Sequence, residues 1–327
     1  MSGQMAVSTS TDPQLLEQYR GELTGYCYRM LGSAFEAEDA VQETMLRAWR
    51  ALDRFEGRSQ LRSWIYRIAT NVCLDMLGGK ERKVRPMELG DSGRPVIESL
   101  AATRPDGDWI LPMPDGRVID DGADPAEVAA AKETLKLAFI AALQHLPAKQ
   151  RAVLILRDVL RWKASEVASL LDTSEASVNS ALQRARAAIE ERDLAPDEIA
   201  DPSDEEQGDL LQRYMEAFEN YDMQALAALL AEDATLSMPP YELWLTGHED
   251  IVAWMVGPGH GCEGSRLVPV AANGSIAFGQ YRAGGPNGGH EPWGLVVLET
   301  RDGSVTGINT FLDTASLFPF FGLPERL

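Results

Sequence analysis

The chain has 327 residues, of which 45% are hydrophobic, and a formal net charge of −20. That length suits two or three modules rather than one, and the apolar content excludes wholesale disorder. No apolar run reaches the roughly 18 residues of a membrane span, and the N-terminus lacks an apolar signal segment, so a soluble, cytoplasmic protein without membrane contact is expected.

In chain order, Asp12-Pro13 reads as an N-cap followed by proline at the first helical position, with a helix continuing through Leu15, Tyr19, Leu23 and Tyr26 toward Leu31. Gly32 ends it, and Ser33-Ala34-Phe35-Glu36 matches a capping box for a second helix with a stripe of Ala37, Ala40, Val41, Thr44, Met45 and Ala48. After the loop Glu56–Gln60, a third helix carries Leu61, Trp64, Ile65, Ile68, Ala69, Val72 and Leu77. From about Pro86 to Asp124 the periodicity collapses among prolines, glycines and acids, which predicts an extended linker outside any core. Helical pattern resumes at Pro125 and restarts at Pro147, and two short helices follow, Ser165–Leu171 and about Glu175–Glu191. Beyond an acidic connector, Asp193–Gln207, come helices Leu210–Glu219 and Met223–Leu230. Strand-like runs then span Ala234–Met238, Ser265–Ala272, Ser275–Tyr281, Trp293–Thr300 and Val305–Leu312. Asn273-Gly274 and Asp302-Gly303 are hairpin turns, so this part reads as an α+β domain.

The charge is unevenly spread. Residues 1–94 carry 13 basic and 13 acidic side chains, and residues 131–193 carry 10 and 8. Residues 194–327 carry 5 and 21, so the acid that would repel a nucleic acid sits mainly in the last third. Cys27, Cys73 and Cys262 are scattered and odd in number, which fits buried thiols and neither a disulfide framework nor a zinc site. No metal and no cofactor are expected.

Two segments carry nucleic-acid chemistry. Leu160–Ile189 fits a helix-turn-helix, whose second helix would present Ser174, Glu175, Ser177, Asn179, Ser180, Gln183, Arg184 and Arg186 to bases or phosphates, while Val178 packs inward. The same residues also fit an ordinary helical hairpin with a solvated basic end. Between Arg58 and Arg85 seven basic residues face two acids, with Phe55, Trp64 and Tyr66 interleaved, a pattern that can follow a phosphate backbone and hold an unstacked base. Core packing for Trp64 and solvated charge elsewhere would give the same composition.

Asp39-Ala40-Val41-Gln42-Glu43-Thr44-Met45-Leu46-Arg47-Ala48-Trp49, with Leu61-Arg62-Ser63-Trp64-Ile65-Tyr66-Arg67-Ile68-Ala69-Thr70-Asn71, resembles region 2 of the sigma-70 family. Leu146-Pro147 and Arg151-Ala152-Val153-Leu154 with the helix-turn-helix resemble region 4, and the lack of further domains between them points to the extracytoplasmic-function group. Tyr214–Phe218, Leu229–Ala234 and Leu245–His248 resemble a SnoaL-like domain, and Trp109–Asp115 is similar to the linker of sigma factors that carry one.

The resemblance implies a multidomain fold: two all-α sigma domains plus a C-terminal α+β SnoaL-like cone. The parts would be region 2 in residues 1–95, an acidic linker in 96–130, region 4 in 131–195 and the cone in 196–327. It implies an alternative sigma factor rather than an enzyme, with RNA polymerase core (the beta and beta-prime subunits) and promoter DNA as partners. Asp39, Gln42, Glu43 and Arg47 would dock on the polymerase. Arg58, Ser59, Arg62, Trp64, Arg67, Asn71 and Lys80 would hold the −10 element, and the region 4 helix would read the −35 element. Gly78–Lys83 is less basic than the family leads one to expect, which implies weak DNA affinity of the isolated protein. The linker's acids would suit the basic RNA-exit path of the polymerase.

For the cone, Trp244, Trp254, Phe278, Tyr281, Trp293 and Phe311 are candidate pocket walls, and His248, His260, His290, Asp250 and Asp313 the available acid–base groups, with no spacing that pairs them. The cone is expected to regulate, through a small ligand or through contact with the sigma domains. An anti-sigma partner is neither indicated nor excluded. Two rivals stay open at this point: a stand-alone helix-turn-helix regulator, and a cyclase- or isomerase-like enzyme using Asp313 or His248.

Overall fold

A computed structural model describes residues 14–55, 60–120, 122–191, 204–285 and 288–327. The first helical unit comprises α1 (Gln14–Glu17), α2 (Arg20–Leu31), α3 (Ala34–Ala51) and α4 (Leu61–Leu77). Asp12-Pro13 lies outside the described residues. The helix expected to run unbroken to Leu31 is interrupted at Gln18-Tyr19, where Gln18 Nε2 donates to the Leu15 carbonyl (2.7 Å) and a side chain competes for the helix ladder. Ser33 caps α3 by accepting from the Glu36 amide, but the Glu36 carboxylate faces Lys80 and Lys83 instead of closing a full capping box. Every residue of α2 from Leu23 to Leu31 is buried. This helix is packed on all sides, so its apolar residues need no single stripe.

The linker reading requires correction. Residues 86–120 form only short 3₁₀ turns, yet Trp109, Ile110 and Met113 are buried core residues. The extended chain borrows its hydrogen bonds from neighbours: Leu111 N–H donates to the Gly32 carbonyl (3.0 Å), Arg104 N–H to Pro240 (3.0 Å) and Glu242 N–H to Ala102 (3.0 Å). The segment crosses α2 at Gly25, where a Cβ would come within 2.7 Å of Val118 Cγ1 and push that side chain away. Rather than hanging free, the linker is clamped between the first helical unit and the cone.

The second helical unit holds α5 (Pro125–Glu133), α6 (Leu137–Gln144), α7 (Ala148–Leu154, continued by a π-helical turn Ile155–Val159), α8 (Ala164–Leu170) and α9 (Glu175–Glu190). Asp124 and Ser174 cap α5 and α9 with their side chains. Arg151 is buried and donates across the unit boundary to the Met30 carbonyl, as well as to Gln144 Oε1 (2.6 Å) and the Gln144 and Leu146 carbonyls. With no carboxylate beside it, burial pulls its pKa down to about 10.

The C-terminal domain contains α10 (Asp204–Glu219), α11 (Met223–Leu229), β1 (Leu230–Ser237), β2 (Trp244–Thr246), α12 (His248–Val256), β3 (Arg266–Ala272), β4 (Ser275–Ala283), β5 (His290–Arg301), β6 (Ser304–Phe311) and α13 (Thr314–Phe320). Its six strands run in the order β2-β1-β6-β5-β4-β3, antiparallel except for the parallel β1–β6 pair. Strand alternation splits the sheet. Phe278, Val296, Leu298 and Ile308 face α10–α12 and form a core of their own. Ala277, Tyr281, Leu295, Val297 and Phe311 face the other way and join a core continuous with α2–α4 and α6–α9. The cone is therefore packed onto both helical units.

Candidate nucleic-acid interface

The expected −10 residues lie on α4, except Lys80 just beyond it; Arg58 and Ser59 fall outside the described residues. Arg62 is held by Glu22 (2.9 Å from Nε) and lies over the rings of Tyr66 and Trp162 at 5.5 and 5.3 Å. Arg67 Nη2 donates to the Ser169 carbonyl (2.6 Å) on α8. Trp64 is half-buried against Phe55 (5.1 Å), Asn71 is exposed, and Lys80 is paired with Glu36. The second helical unit thus sits on part of the face that would hold melted DNA. Arg62 meets it through the Trp162 ring and Arg67, itself exposed, through the Ser169 carbonyl.

On α9 the situation is reversed. Ser174, Glu175, Ser177, Asn179, Ser180, Gln183, Arg184 and Arg186 are all exposed, while Val178, Leu182, Ala185 and Ile189 are buried. Arg184 Nη1 donates to Ser180 Oγ (2.7 Å), which aims it along the exposed face. Arg186 instead makes a bidentate pair with Asp158 (2.8 and 2.7 Å) and braces α9 against the π-helical turn. The recognition helix is open to solvent.

Asp39, Gln42 and Arg47 are exposed on α3, and Glu43 is half-buried and paired with Arg47 (2.6 Å). Beside Gln42 the helix presents an apolar strip that sequence reasoning missed: Leu46 and Trp49 are 39% and 58% exposed, next to Leu15 at 45%. Positions 42, 46 and 49 share one helix face, and together with Leu16 and Met45 they line a shallow groove. The signal was available, since Leu46 and Trp49 lie off the buried stripe of α3.

The first helical unit, the linker and the second helical unit all meet the cone at its Asn273-Gly274 turn. Asn273 is fully buried; its Oδ1 accepts from Met113 N–H (2.9 Å), and its Nδ2 donates to Tyr28 Oη (2.7 Å) and the Leu135 carbonyl (2.6 Å). Gly274 N–H donates to Asp115 Oδ1 (2.8 Å), and a Cβ on Gly274 would lie 2.7 Å from the Lys132 backbone. One hairpin tip thereby touches the first helical unit, the linker and the second helical unit. A bidentate Arg85–Glu299 pair (3.0 and 2.7 Å) and an Arg104–Glu242 pair (2.8 Å) add charge contacts between linker and cone.

Burial raises the Asp115 carboxyl to about 6, against the opposing effect of the Gly274 amide. A carboxyl whose pKa is raised by docking holds its proton more tightly docked than free. Its contribution to docking is complete below about pH 4 and is lost as pH rises through about 6. Lowering the pH from 7.5 to 5.5 should raise the thermal midpoint by roughly 1 °C more in the wild type than in Asp115→Asn, measured by calorimetry.

Three family models match: "Sigma-70 region 2" over residues 15–83, "Sigma-70, region 4" over 136–189 and "SnoaL-like domain" over 211–308. The ECF RNA polymerase sigma factor SigG of Mycobacterium tuberculosis is 45% identical over 314 residues, covering 95% of this chain and 83% of that protein. The chain belongs to the ECF sigma factors. It is an alternative sigma factor, directing RNA polymerase to start transcription at its own promoters. SigW of Bacillus subtilis is 28% identical over 182 residues, 55% of this chain. The crystal structure of M. tuberculosis extracytoplasmic-function factor SigJ superposes with a TM-score of 0.61 at 22% identity, covering 96% of this chain and all of that one, and so shares the fold of this sigma factor.

The cone of this sigma factor encloses a narrow cavity of about 30 Å³, room for about two water molecules. Trp254, Phe278 and Trp293 line it, together with Tyr214, Phe218, Cys262, Gln280 and Thr310. The other three expected wall residues lie elsewhere. Trp244 donates its indole N–H to the Gly90 carbonyl (3.0 Å) of the linker. Tyr281 and Phe311 point from the opposite face of the sheet into the interdomain core, because odd and even strand positions face opposite ways. Asp313 caps α13 through the Ser316 amide, His248 opens α12, His260 pairs with Glu263, and His290 bonds the Gly264 carbonyl. None of these groups, nor Asp250, lines the cavity.

Proposed function

We propose that this sigma factor is held in a closed arrangement by its cone and opens to load onto polymerase. The carrying observation is that Arg62 packs over the Trp162 ring and Arg67 donates to the Ser169 carbonyl while the cone tip ties both helical units together through Asn273. In the open form, region 2 (residues 1–95) engages the beta and beta-prime subunits through Asp39, Gln42, Glu43 and Arg47, with Leu46 and Trp49 as apolar anchors. Arg58, Ser59, Arg62, Trp64, Arg67, Asn71 and Lys80 then hold the −10 element, and α9 of region 4 (131–195) reads the −35 element through Ser174, Glu175, Ser177, Asn179, Ser180, Gln183 and Arg184. Arg186 adds its charge beside the duplex. The linker (96–130) leaves its docked position when the cone (196–327) releases. The protein works in the cytoplasm, where its polymerase is.

The cone acts as a regulatory domain rather than an enzyme: its cavity is small, is walled by aromatic side chains and is lined by no histidine or carboxylate. The test is transcription from fragmented genomic DNA by purified core polymerase, with the full chain and with residues 1–195. Discrete new start sites that strengthen on removing the cone support the reading; equal activity of both forms removes the regulatory role.

Arg184→Ala should weaken −35 duplex binding by the holoenzyme at every sequence and lower the salt slope by about one, as expected for a phosphate contact. Asn179→Ala should instead relax the preference at one base pair, costing about 1–3 kcal/mol of discrimination. Binding titrations against salt and against single-base operator variants separate the two.

A further inference from the structure

We infer that Asp158 is a positioning residue for promoter reading: it clamps Arg186 and thereby aims the flank of α9 that carries Asn179 and Gln183. The inference rests on α9 as the −35 helix and adds a residue that lies outside that helix.

Asn179, Gln183 and Arg186 stand at i, i+4 and i+7, so they form one ridge along α9. All three are exposed, on the flank next to the buried row Val178, Leu182, Ala185 and Ile189. Arg184 and Arg186 are the two basic residues of the helix, and they are held differently. Arg184 stands on the other flank and donates within its own helix, to Ser180 Oγ (2.7 Å). Arg186 reaches out of the helix: its Nε donates to Asp158 Oδ2 (2.8 Å) and its Nη2 to Asp158 Oδ1 (2.7 Å). Two parallel bonds fix the plane of a guanidinium as well as its position.

The clamp stands on a braced support. Asp158 belongs to the π-helical turn Ile155–Val159, where Leu160 N–H reaches back to the Ile155 carbonyl (2.9 Å). The chain then folds over onto buried Trp162, whose N–H donates to the Leu156 carbonyl (2.9 Å) and whose carbonyl accepts from Arg157. The Asp158 carboxylate is 28% exposed, against 55% for the guanidinium, so the acid is the fixed member of the pair and the arginine the one that is held. A pair this exposed adds little to stability. Its effect is on direction. A free arginine at this place would seek the nearest phosphate, a contact that is the same for every sequence. Clamped, Arg186 stays beside the duplex but off its phosphates, and Asn179 and Gln183 on the same ridge meet the base edges at a set angle.

The test uses holoenzyme assembled from the full chain and core polymerase. A −35 duplex is selected from a randomised library with wild type, and its affinity is compared with that of a random-sequence duplex over a salt series. Asp158→Asn should lower the ratio of the two affinities about tenfold, tighten binding to the random duplex, and steepen its salt slope by about one. Arg186→Gln should lower the ratio equally without the steeper slope, and the double variant should do no worse than either single one. Asp158→Glu, which can still take both guanidinium bonds, should restore most of the ratio. Circular dichroism confirms that each variant is folded. A ratio that Asp158→Asn leaves unchanged overturns the inference, as do losses that add up in the double variant. The −35 reading survives that result when Asn179→Ala relaxes the preference at one base pair. If Asn179→Ala changes nothing, or no sequence is enriched, both fall.

Discussion

Asn273→Ala is expected to release the cone from the helical units and to raise transcription from the factor's own promoters. The substitution removes three buried side-chain hydrogen bonds, to Met113, Tyr28 and Leu135, each on a different part of the chain. It strands those three groups in a fully buried site and places alanine at φ 55°, a left-handed conformation that asparagine tolerates better. Lost hydrogen bonds, unsatisfied partners and backbone strain together amount to about 3–5 kcal/mol of docking. Limited proteolysis of the linker should accelerate, and run-off transcription with core polymerase should rise. Gly274→Ala should act in the same direction by a different route, because its Cβ would press on the Lys132 backbone. If both variants loosen the linker without changing transcription, the closed arrangement has no regulatory meaning.

A second large effect is expected on the opposite side of the molecule. Leu46→Ala with Trp49→Ala should lower affinity for core polymerase by about 100-fold, as the loss of an aromatic anchor and its apolar neighbour does at the centre of an interface. Both side chains are exposed and absent from the buried core, so the thermal midpoint should stay within about 2 °C of wild type. Fluorescence anisotropy against core polymerase measures the first quantity, and calorimetry the second. Affinity unchanged within threefold would remove α3's apolar strip from the docking surface.

Much of this architecture was legible in the sequence because its signals are local. The stripe Ala37–Ala48, the Ser33 cap and the Asn273-Gly274 turn each depend on residues a few positions apart. The helix-turn-helix could be assigned an inside and an outside from periodicity alone, with Val178 inward and Asn179 outward. What escaped depends on partners far along the chain. Trp109 and Met113 look like parts of a loose proline-rich segment until Gly25, Gly32 and Asn273 supply the surface they fill. The strand Trp244–Thr246 has three residues, too few to show alternation, and α13 contains Pro319, which argues against a helix. Among the candidate cavity residues, aromatic character alone could not separate Trp254, Phe278 and Trp293 from Trp244, Tyr281 and Phe311. Their faces are set by strand register, and for Trp293 by a bulge.

The socket around Asn273 also fixes how the factor responds to a signal. If docking is worth about 4 kcal/mol, roughly one molecule in a thousand is open at rest. A ligand must then favour the undocked cone about a thousandfold merely to bring half the population into the open state. A shallower socket would respond to weaker ligands at the cost of stray initiation, and a deeper one would silence the factor altogether. The few hydrogen bonds at one hairpin tip therefore set both the background and the gain of the genes this protein controls.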